Sequence, residues 1–345
     1  MASQRETEII ERPVTQEEIA RKAGVSRSIV SRVLSNAPDS NISPATRNRI
    51  VEISKQLNYR PKTSIQRHHN IVVGLYDLDY INRPFFATII TGVARQSAVF
   101  DFDLQFLSMN PEIGVTEPDL YFLNRPRNRN VKGYIIIDQA VPDADILRLH
   151  EKGFPLVMID REIEGADLPC VLSNEEKVLY DLTSYLLNKG RRNVAIVIAS
   201  REWNREARKL RGFKAALADH GLQFDEDLVF DTAYKEGIEL TNLLLSILNR
   251  RDRPNAVITG RDDLAVQLIE LAMDLGLNVP GDIAITGYND TEIASVYPVA
   301  ITSVRVPLRE MGERAIVLLE NLIEEKPVEE HRLLLNPKII VRESC

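Results

Sequence analysis

Downstream of residue 70, short runs of aliphatic and β-branched residues alternate with longer stretches whose apolar positions recur at helical spacing. The runs predict strands over 71–75, 103–107, 133–137, 156–159, 194–198, 256–259 and 283–286. The periodic stretches predict helices over 85–99, 175–187, 208–219, 237–248, 262–275 and 308–324. Fully apolar strands alternating with amphipathic helices are the pattern of an α/β fold whose parallel sheets are covered on both faces.

Upstream the pattern is different and purely helical. Thr15 and Glu18 have capping-box spacing, with Val14 and Ile19 at the staple positions around them. Gly24 stands where a left-handed residue lets the chain turn sharply. A second helix start follows at Ser26, and Ile29, Val30 and Val33 mark its buried face. Arg27, Ser28, Ser31 and Arg32 occupy the other face or the tip, and no acidic residue lies between Ala23 and Ala37. A third helix begins at Ser43-Pro44, carries Ile50, Ile53 and Leu57, and ends before Pro61. Helix, tight turn, helix is the geometry that sets a second helix in the DNA major groove. There Arg reads guanine bidentately, and Ser reaches a base edge or a phosphate.

The net charge of −7 argues against DNA until it is divided. Residues 1–69 hold 12 Lys and Arg against 7 Asp and Glu, so the head contributes +5 and the remainder −12. A basic head on an acidic body is expected where only the head meets phosphates. Two cysteines, Cys170 and Cys345, form no paired framework and no metal-ligand spacing. His68 and His69 are adjacent without further ligands and read as exposed linker, so no metal and no cofactor is expected. No apolar signal core or membrane-length run occurs, so a cytoplasmic protein is expected. The nucleophile-elbow, P-loop and zinc-protease motifs are absent, and no enzyme activity is expected.

The run Val14-Thr15, Ile19-Ala20, Ala23-Gly24-Val25-Ser26, Val30-Ser31-Arg32-Val33-Leu34, then Ser43, Thr46-Arg47 and Leu57-Asn58-Tyr59, resembles the headpiece of the LacI/GalR family of bacterial transcription regulators. The body resembles the family's effector domain, a periplasmic-binding-protein-like pair of lobes. That likeness runs through Asn82-Arg83-Pro84-Phe85-Phe86, Asp160-Arg161, Gly212-Phe213, Val279-Pro280, Gly287-Tyr288-Asn289-Asp290 and Val341-Arg342-Glu343-Ser344. The resemblance implies an all-α headpiece at 13–61 behind a disordered extension at 1–12, a hinge linker at 62–70, and an effector-binding and dimerisation domain at 71–345. Its lobes are implied at about 71–160 with 291–320, and 161–290 with 321–340. The implied function is a sequence-specific repressor of operator DNA, homodimeric, whose affinity a small effector modulates. The competing reading is a solute-binding or sugar-processing protein with an incidental helical head.

By the same resemblance, Arg27 and Ser28 match the variable base-reading pair and Arg32 the recurrent Arg of the recognition helix. Thr15, Ser26, Ser31 and Asn36 match capping or backbone-contacting positions, and Tyr59 and Arg67 complete the DNA set. The linker lacks the family's wedging Leu; Ile65 is its one apolar side chain, and phosphate contact is the favoured role. Ligands of open α/β sheets bind beyond the strands' carboxyl ends. That places Asp79, Tyr80, Asn82, Asp138, Arg161, Trp203, Arg261, Asp262 and Asn289 at the effector site, and the resemblance adds Phe85, Arg208 and Lys209. They offer the hydrogen-bonding pairs and aromatic faces that a sugar or sugar derivative needs. Arg261, Asn289 and Lys209 depart from the family's usual residues, and the cations Arg83, Arg205, Arg208 and Arg261 would admit an acidic or phosphorylated ligand.

Overall fold

The computed structural model describes residues 15–34, 42–57, 59, 69–110, 131–137, 139–233 and 235–345. The chain divides into two compact units, Met1–His68 and His69–Cys345. Expectations for the 1–12 extension, Asn36, Ile65, Arg67 and Asp138 lie outside the described residues.

The first unit holds α1 (Gln16–Ala23), α2 (Arg27–Leu34) and α3 (Pro44–Gln56). Thr15 caps α1 in a complete capping box: its amide donates to Glu18 Oε2 at 2.8 Å and its hydroxyl accepts from the Glu18 amide at 3.3 Å. Gly24 closes the helix at φ 64°, a conformation that costs glycine nothing. Ile19, Ala20, Ala23, Val30, Val33 and Ile50 form a small core, with Tyr59 packed half-buried against it.

The second unit is built on two six-stranded sheets. The first has the order β11-β5-β4-β3-β1-β2, from β1 (His69–Leu75), β2 (Phe102–Ser108), β3 (Val131–Ile136), β4 (Leu156–Ile159), β5 (Cys170–Ser173) and β11 (Arg332–Leu335). The second has the order β12-β10-β9-β8-β6-β7, from β6 (Val194–Ile198), β7 (Val229–Asp231), β8 (Ala256–Thr259), β9 (Ala284–Tyr288), β10 (Thr302–Arg305) and β12 (Lys338–Ile340). All pairings are parallel except β10 with β12. Among the described residues the body helices are α4 (Pro84–Val99), α5 (Asp143–Glu151), α6 (Glu175–Asn188), α7 (Asn204–Asp219), α8 (Gly237–Leu248), α9 (Asp262–Asp274), α10 (Glu292–Val296) and α11 (Leu308–Ile323). The central strands are buried along their whole length, as continuous apolar runs require.

Strand pairing corrects several boundaries. His69 and Asn70 are not linker; they open β1, in register with Phe102 and Asp103. β5 belongs to the first sheet, although it lies in the range read as the second lobe, because it pairs with β4 and β11. β10 belongs to the second sheet, although 291–320 was read as first lobe, because it pairs with β9 and β12. The chain therefore passes between lobes at 174, at 306–307 and at 336–337. Two of these passages are tied: the Asn174 amide donates to Leu335 O at 2.8 Å and its side chain to Asn336 Oδ1 at 3.0 Å.

Within the first lobe α11 crosses α4 at glycines. A Cβ on Gly92 would strike the Arg309 carbonyl, and one on Gly312 the Ile89 carbonyl. Backbone this close leaves no room for a methyl group. Gly92→Ala is expected to cost about 1–3 kcal/mol, the usual range for overpacking, read as a lowered urea midpoint at unchanged slope. An unchanged midpoint would show that the helices separate freely.

Candidate functional site

A cleft of about 1160 Å³ lies between the two lobes of the body. Its floor is a cluster of buried charges. Asp160 ends β4 in the left-handed conformation at φ 61°, which Asp tolerates better than most residues. It is 2% exposed, and its Oδ2 accepts from Arg205 Nη1 at 2.5 Å. Arg205 stands in the first turn of α7, in the other lobe, and also pairs with Glu206 Oε1 at 3.2 Å. Lys209, one turn on, reaches the same Glu206 oxygen at 3.2 Å and lies 4.1 Å from the centroid of the Tyr288 ring. The Tyr288 hydroxyl donates to Glu175 Oε2, at the start of α6. Positions 205, 206 and 209 share one end of α7, so a single helix start supplies three members of the cluster.

The cluster's electrostatics are set by burial against pairing. Burial opposes the charge on Glu206, but Lys209 and Arg205 outweigh it and hold the carboxyl below its ordinary value. For Glu175 burial wins: its carboxyl is raised despite Lys209 beside it. Tyr288 is raised well above its ordinary value by burial and by Glu175. Arg205 keeps its charge because Asp160, Glu206 and Glu175 surround it. Two buried acceptors in this floor, Asp160 Oδ1 and Glu206 Oε2, have no hydrogen-bond partner.

Aromatic rings form the walls. The Arg205 guanidinium lies 5.5 Å from the Phe85 centroid and 5.4 Å from that of Trp203, and Tyr80 and Phe86 complete the lining. At the far wall the Asp262 carboxylate accepts three hydrogen bonds. Its Oδ1 accepts from the Ser303 hydroxyl at 2.6 Å, and its Oδ2 from the Thr291 amide and hydroxyl at 2.6 and 2.8 Å. Asn289 and Asp290 turn the chain with φ 88° and 50°, and Asp290 is held by Arg305 and Arg342 at 2.6 and 2.7 Å.

Of the sequence-derived effector residues, Tyr80, Phe85, Trp203, Lys209, Arg261, Asp262 and Asn289 line this cleft. Asp79 and Asn82 do not line it: they sit exposed on a 3₁₀ turn over Leu78–Asn82, where the Asp77 side chain accepts from the Asp79 amide. Arg208 is buried away from the cleft against Glu162, at 2.5 Å. Arg161 is also buried; it donates to Val141 O at 2.7 Å and to Asp143, and it borders an adjoining chamber. Sequence reasoning left Glu175 and Glu206 out of the site. Acidic residues in a helix's first turn normally signal only the dipole, and nothing local distinguishes these two. Among the described residues no group of three or more His, Cys, Asp or Glu is arranged to hold a metal ion, and no helix is long and apolar enough to cross a membrane.

In the head, Arg27, Ser28, Ser31 and Arg32 of α2 are exposed, and Val30 and Val33 are buried. Arg32 Nε donates to Ser28 O at 3.4 Å, and the Ser26 and Ser28 hydroxyls are 2.8 Å apart. The helix thus presents an arginine and serine face to solvent. Thr15 is exposed at the capped start of α1.

The raised Glu175 carboxyl has a consequence for stability. A folded-state value above the unfolded one adds stability that is complete below the ordinary glutamate range, and that stability is lost as pH rises through the raised value. Glu175→Gln keeps an acceptor for Tyr288 and removes the titration. The difference in unfolding free energy between Glu175→Gln and the parent should therefore grow with pH above the glutamate range. A pH-independent difference would place Glu175 outside the titrating cluster.

Comparison with known proteins agrees with this geometry. Residues 15–62 match the family described as bacterial regulatory proteins, lacI family, and residues 183–345 match the periplasmic binding protein-like domain. The chain is 28% identical over 337 residues to catabolite control protein A of Priestia megaterium, covering 96% of this chain and 99% of that protein. It is 28% identical over 342 residues to the ribose operon repressor of Escherichia coli, covering 96% and 99%. Among solved structures, a transcriptional regulator CelR–cellobiose complex superposes with a TM-score of 0.72 at 26% identity, over 97% of this chain and 100% of that one. The Lac repressor dimer bound to operator gives 0.80 at 21% identity, over 96% and 99%, a likeness of fold. The chain thus joins a lacI-family DNA-binding head to a periplasmic-binding-protein-like, effector-binding body, and its full-length relatives are transcriptional regulators of the LacI family.

Proposed function

We propose that this chain is a cytoplasmic, homodimeric repressor, without enzyme activity, whose operator affinity is set by a neutral sugar bound between the lobes. The observation that carries this reading is the cleft floor. It is lined by the carboxylates of Asp160 and Glu206, whose chemistry as hydrogen-bond acceptors suits a ligand rich in donors. Hydroxyl groups are such donors, and the Phe85 and Trp203 rings offer apolar faces for a sugar ring. A relative is named for a ribose operon, and a similar structure is titled as a cellobiose complex.

Anionic ligands fit poorly. Ten carboxylates line the cleft against seven Lys and Arg side chains. Three of the four cations that the sequence offers to a phosphate are paired with carboxylates: Arg205 with Asp160, Arg208 with Glu162, and Arg261 bidentately with Asp263 at 3.0 Å; the fourth, Arg83, lies over the Tyr80 ring. The floor sets Arg205 and Lys209 against Asp160, Glu175 and Glu206, which leaves no excess cation for an anionic ligand.

The regulatory step is a change of lobe angle. Asp160 and Arg205 lie in different lobes, so a sugar that hydrogen-bonds at Asp160 and packs on Trp203 interacts with both. Only differential affinity for one angle shifts the equilibrium, and about 1–3 kcal/mol of coupling is enough for regulation. Two-fold symmetry pairs two heads with a near-palindromic operator. Asp262, which already accepts three hydrogen bonds, holds Thr291 and Ser303 in place rather than meeting the sugar.

Three outcomes are expected. In thermal shift, neutral sugars raise the melting temperature, by about 2.7 kcal/mol of added stability at a hundred times Kd. Uronic acids and sugar phosphates leave it unchanged; the reverse order of preference would contradict the reading. Asp160→Asn should abolish the effect of the best neutral sugar on operator binding in a gel shift and leave sugar-free binding intact. Loss of DNA binding by a folded Asp160→Asn dimer would reject the mechanism. Arg27→Ala and Arg32→Ala should each weaken operator binding by about 1–3 kcal/mol, the worth of a bidentate base contact, without altering body stability. Unchanged affinity in both would remove α2 from the DNA interface.

A further inference from the structure

A second chamber of about 680 Å³ adjoins the cleft. Tyr80, Arg83, Gln139, Trp203 and Glu236 border both spaces, so one opens into the other. Resting on the carbohydrate reading above, we infer that the effector is an oligosaccharide of at least two rings, with its first ring on the Asp160–Glu206 floor and its second in this outer chamber.

Size makes the first argument. The inner cleft alone, at about 1160 Å³, exceeds the range of roughly 300–1000 Å³ that encloses drug-sized ligands. A single hexose leaves most of it to water. The polar floor around Asp160 and Glu206 seats one ring, and the remaining volume leads outward past Tyr80 and Trp203.

Chemistry makes the second. The threshold is aromatic on both sides: Tyr80 comes from the first lobe and Trp203 from the second. Such faces carry the apolar side of a sugar ring. The outer chamber is a fixed polar shell beyond them. Arg161 is anchored to Val141 O and Asp143, and Asn204 donates to Glu162 O at 3.2 Å. These contacts hold the walls in place. Glu202 and Glu236 stand exposed at its edge, with acceptors available to hydroxyl groups. Four carboxylates against two arginines line the chamber, so a charged sugar acid or phosphate is disfavoured there as well. Both lobes contribute walls, so a second ring adds contacts across the lobe boundary.

Isothermal titration of the full-length protein with cellobiose, maltose, lactose, trehalose, glucose and galactose tests this. At least one disaccharide should bind about tenfold more tightly than each of its component monosaccharides. Glu202→Trp, a substitution in an exposed turn, fills the outer chamber. It should erase that advantage and leave the monosaccharide within about twofold of the parent. Pro142→Trp, at a residue that borders the outer chamber and not the inner cleft, serves the same purpose should the first variant fold poorly. A disaccharide that binds no better than its components, or an advantage that survives both fillings, overturns the outer subsite and leaves the carbohydrate reading standing. A panel in which no sugar of either size binds overturns the carbohydrate reading and this inference together.

Discussion

The ion pair between Asp160 and Arg205 is the contact on which the body depends. It is buried, it joins the end of β4 in one lobe to the start of α7 in the other, and it forms the floor of the cleft. Taking two charges out of water is expensive, and their attraction offsets that cost only when geometry and further partners are good. Here the partners are Glu206, Lys209, Glu175 and Tyr288, which surround the pair with opposite charges and hydrogen bonds. One oxygen each on Asp160 and Glu206 is left over.

Strand pairing explains how such a cluster can report on lobe angle. The chain passes between lobes three times, and the passages at Asn174 and Asn336 are bonded to each other. A narrow tied hinge permits rotation and resists separation. Asp160 precedes the first passage by only fourteen residues, and Glu175 follows it directly. A ligand gripping the floor therefore acts close to the hinge, where a small displacement is amplified at the far ends of the lobes. This is a hinge closure of the kind that small ligands drive by differential affinity for two angles.

Much of this was legible in the sequence, for identifiable reasons. The central strands β1, β3, β4, β6 and β8 announce themselves because burial on both faces demands uninterrupted aliphatic runs. The capping box at Thr15 and the glycine turn at Gly24 are local, so they read directly. The strands β5, β7, β10, β11 and β12 escaped notice because each is only three or four residues long and is defined by its partner. The lobe boundaries slipped for the same cause. At the site, Tyr80 and Trp203 follow from their position after strands, and Phe85 from the resemblance. Asp262 also lines the cleft, but the Ser303 and Thr291 bonds that occupy it come from forty-one and twenty-nine residues away. Arg208 and Arg161 look like ligand cations in one dimension and prove to be anchors for Glu162 and the Val141–Asp143 turn. Glu175 and Glu206 matter only because the fold brings them to Arg205 and Lys209.

The central claim is that a sugar on the Asp160–Arg205 floor selects a lobe angle. Pulsed electron–electron double resonance between spin labels at Glu151→Cys on α5 and Glu239→Cys on α8, both exposed and one in each lobe, measures that angle directly. Addition of the tightest-binding neutral sugar should shift the distance distribution in the parent and leave it unmoved in Asp160→Asn. A distribution that stays fixed while the same sugar changes operator affinity would contradict the account.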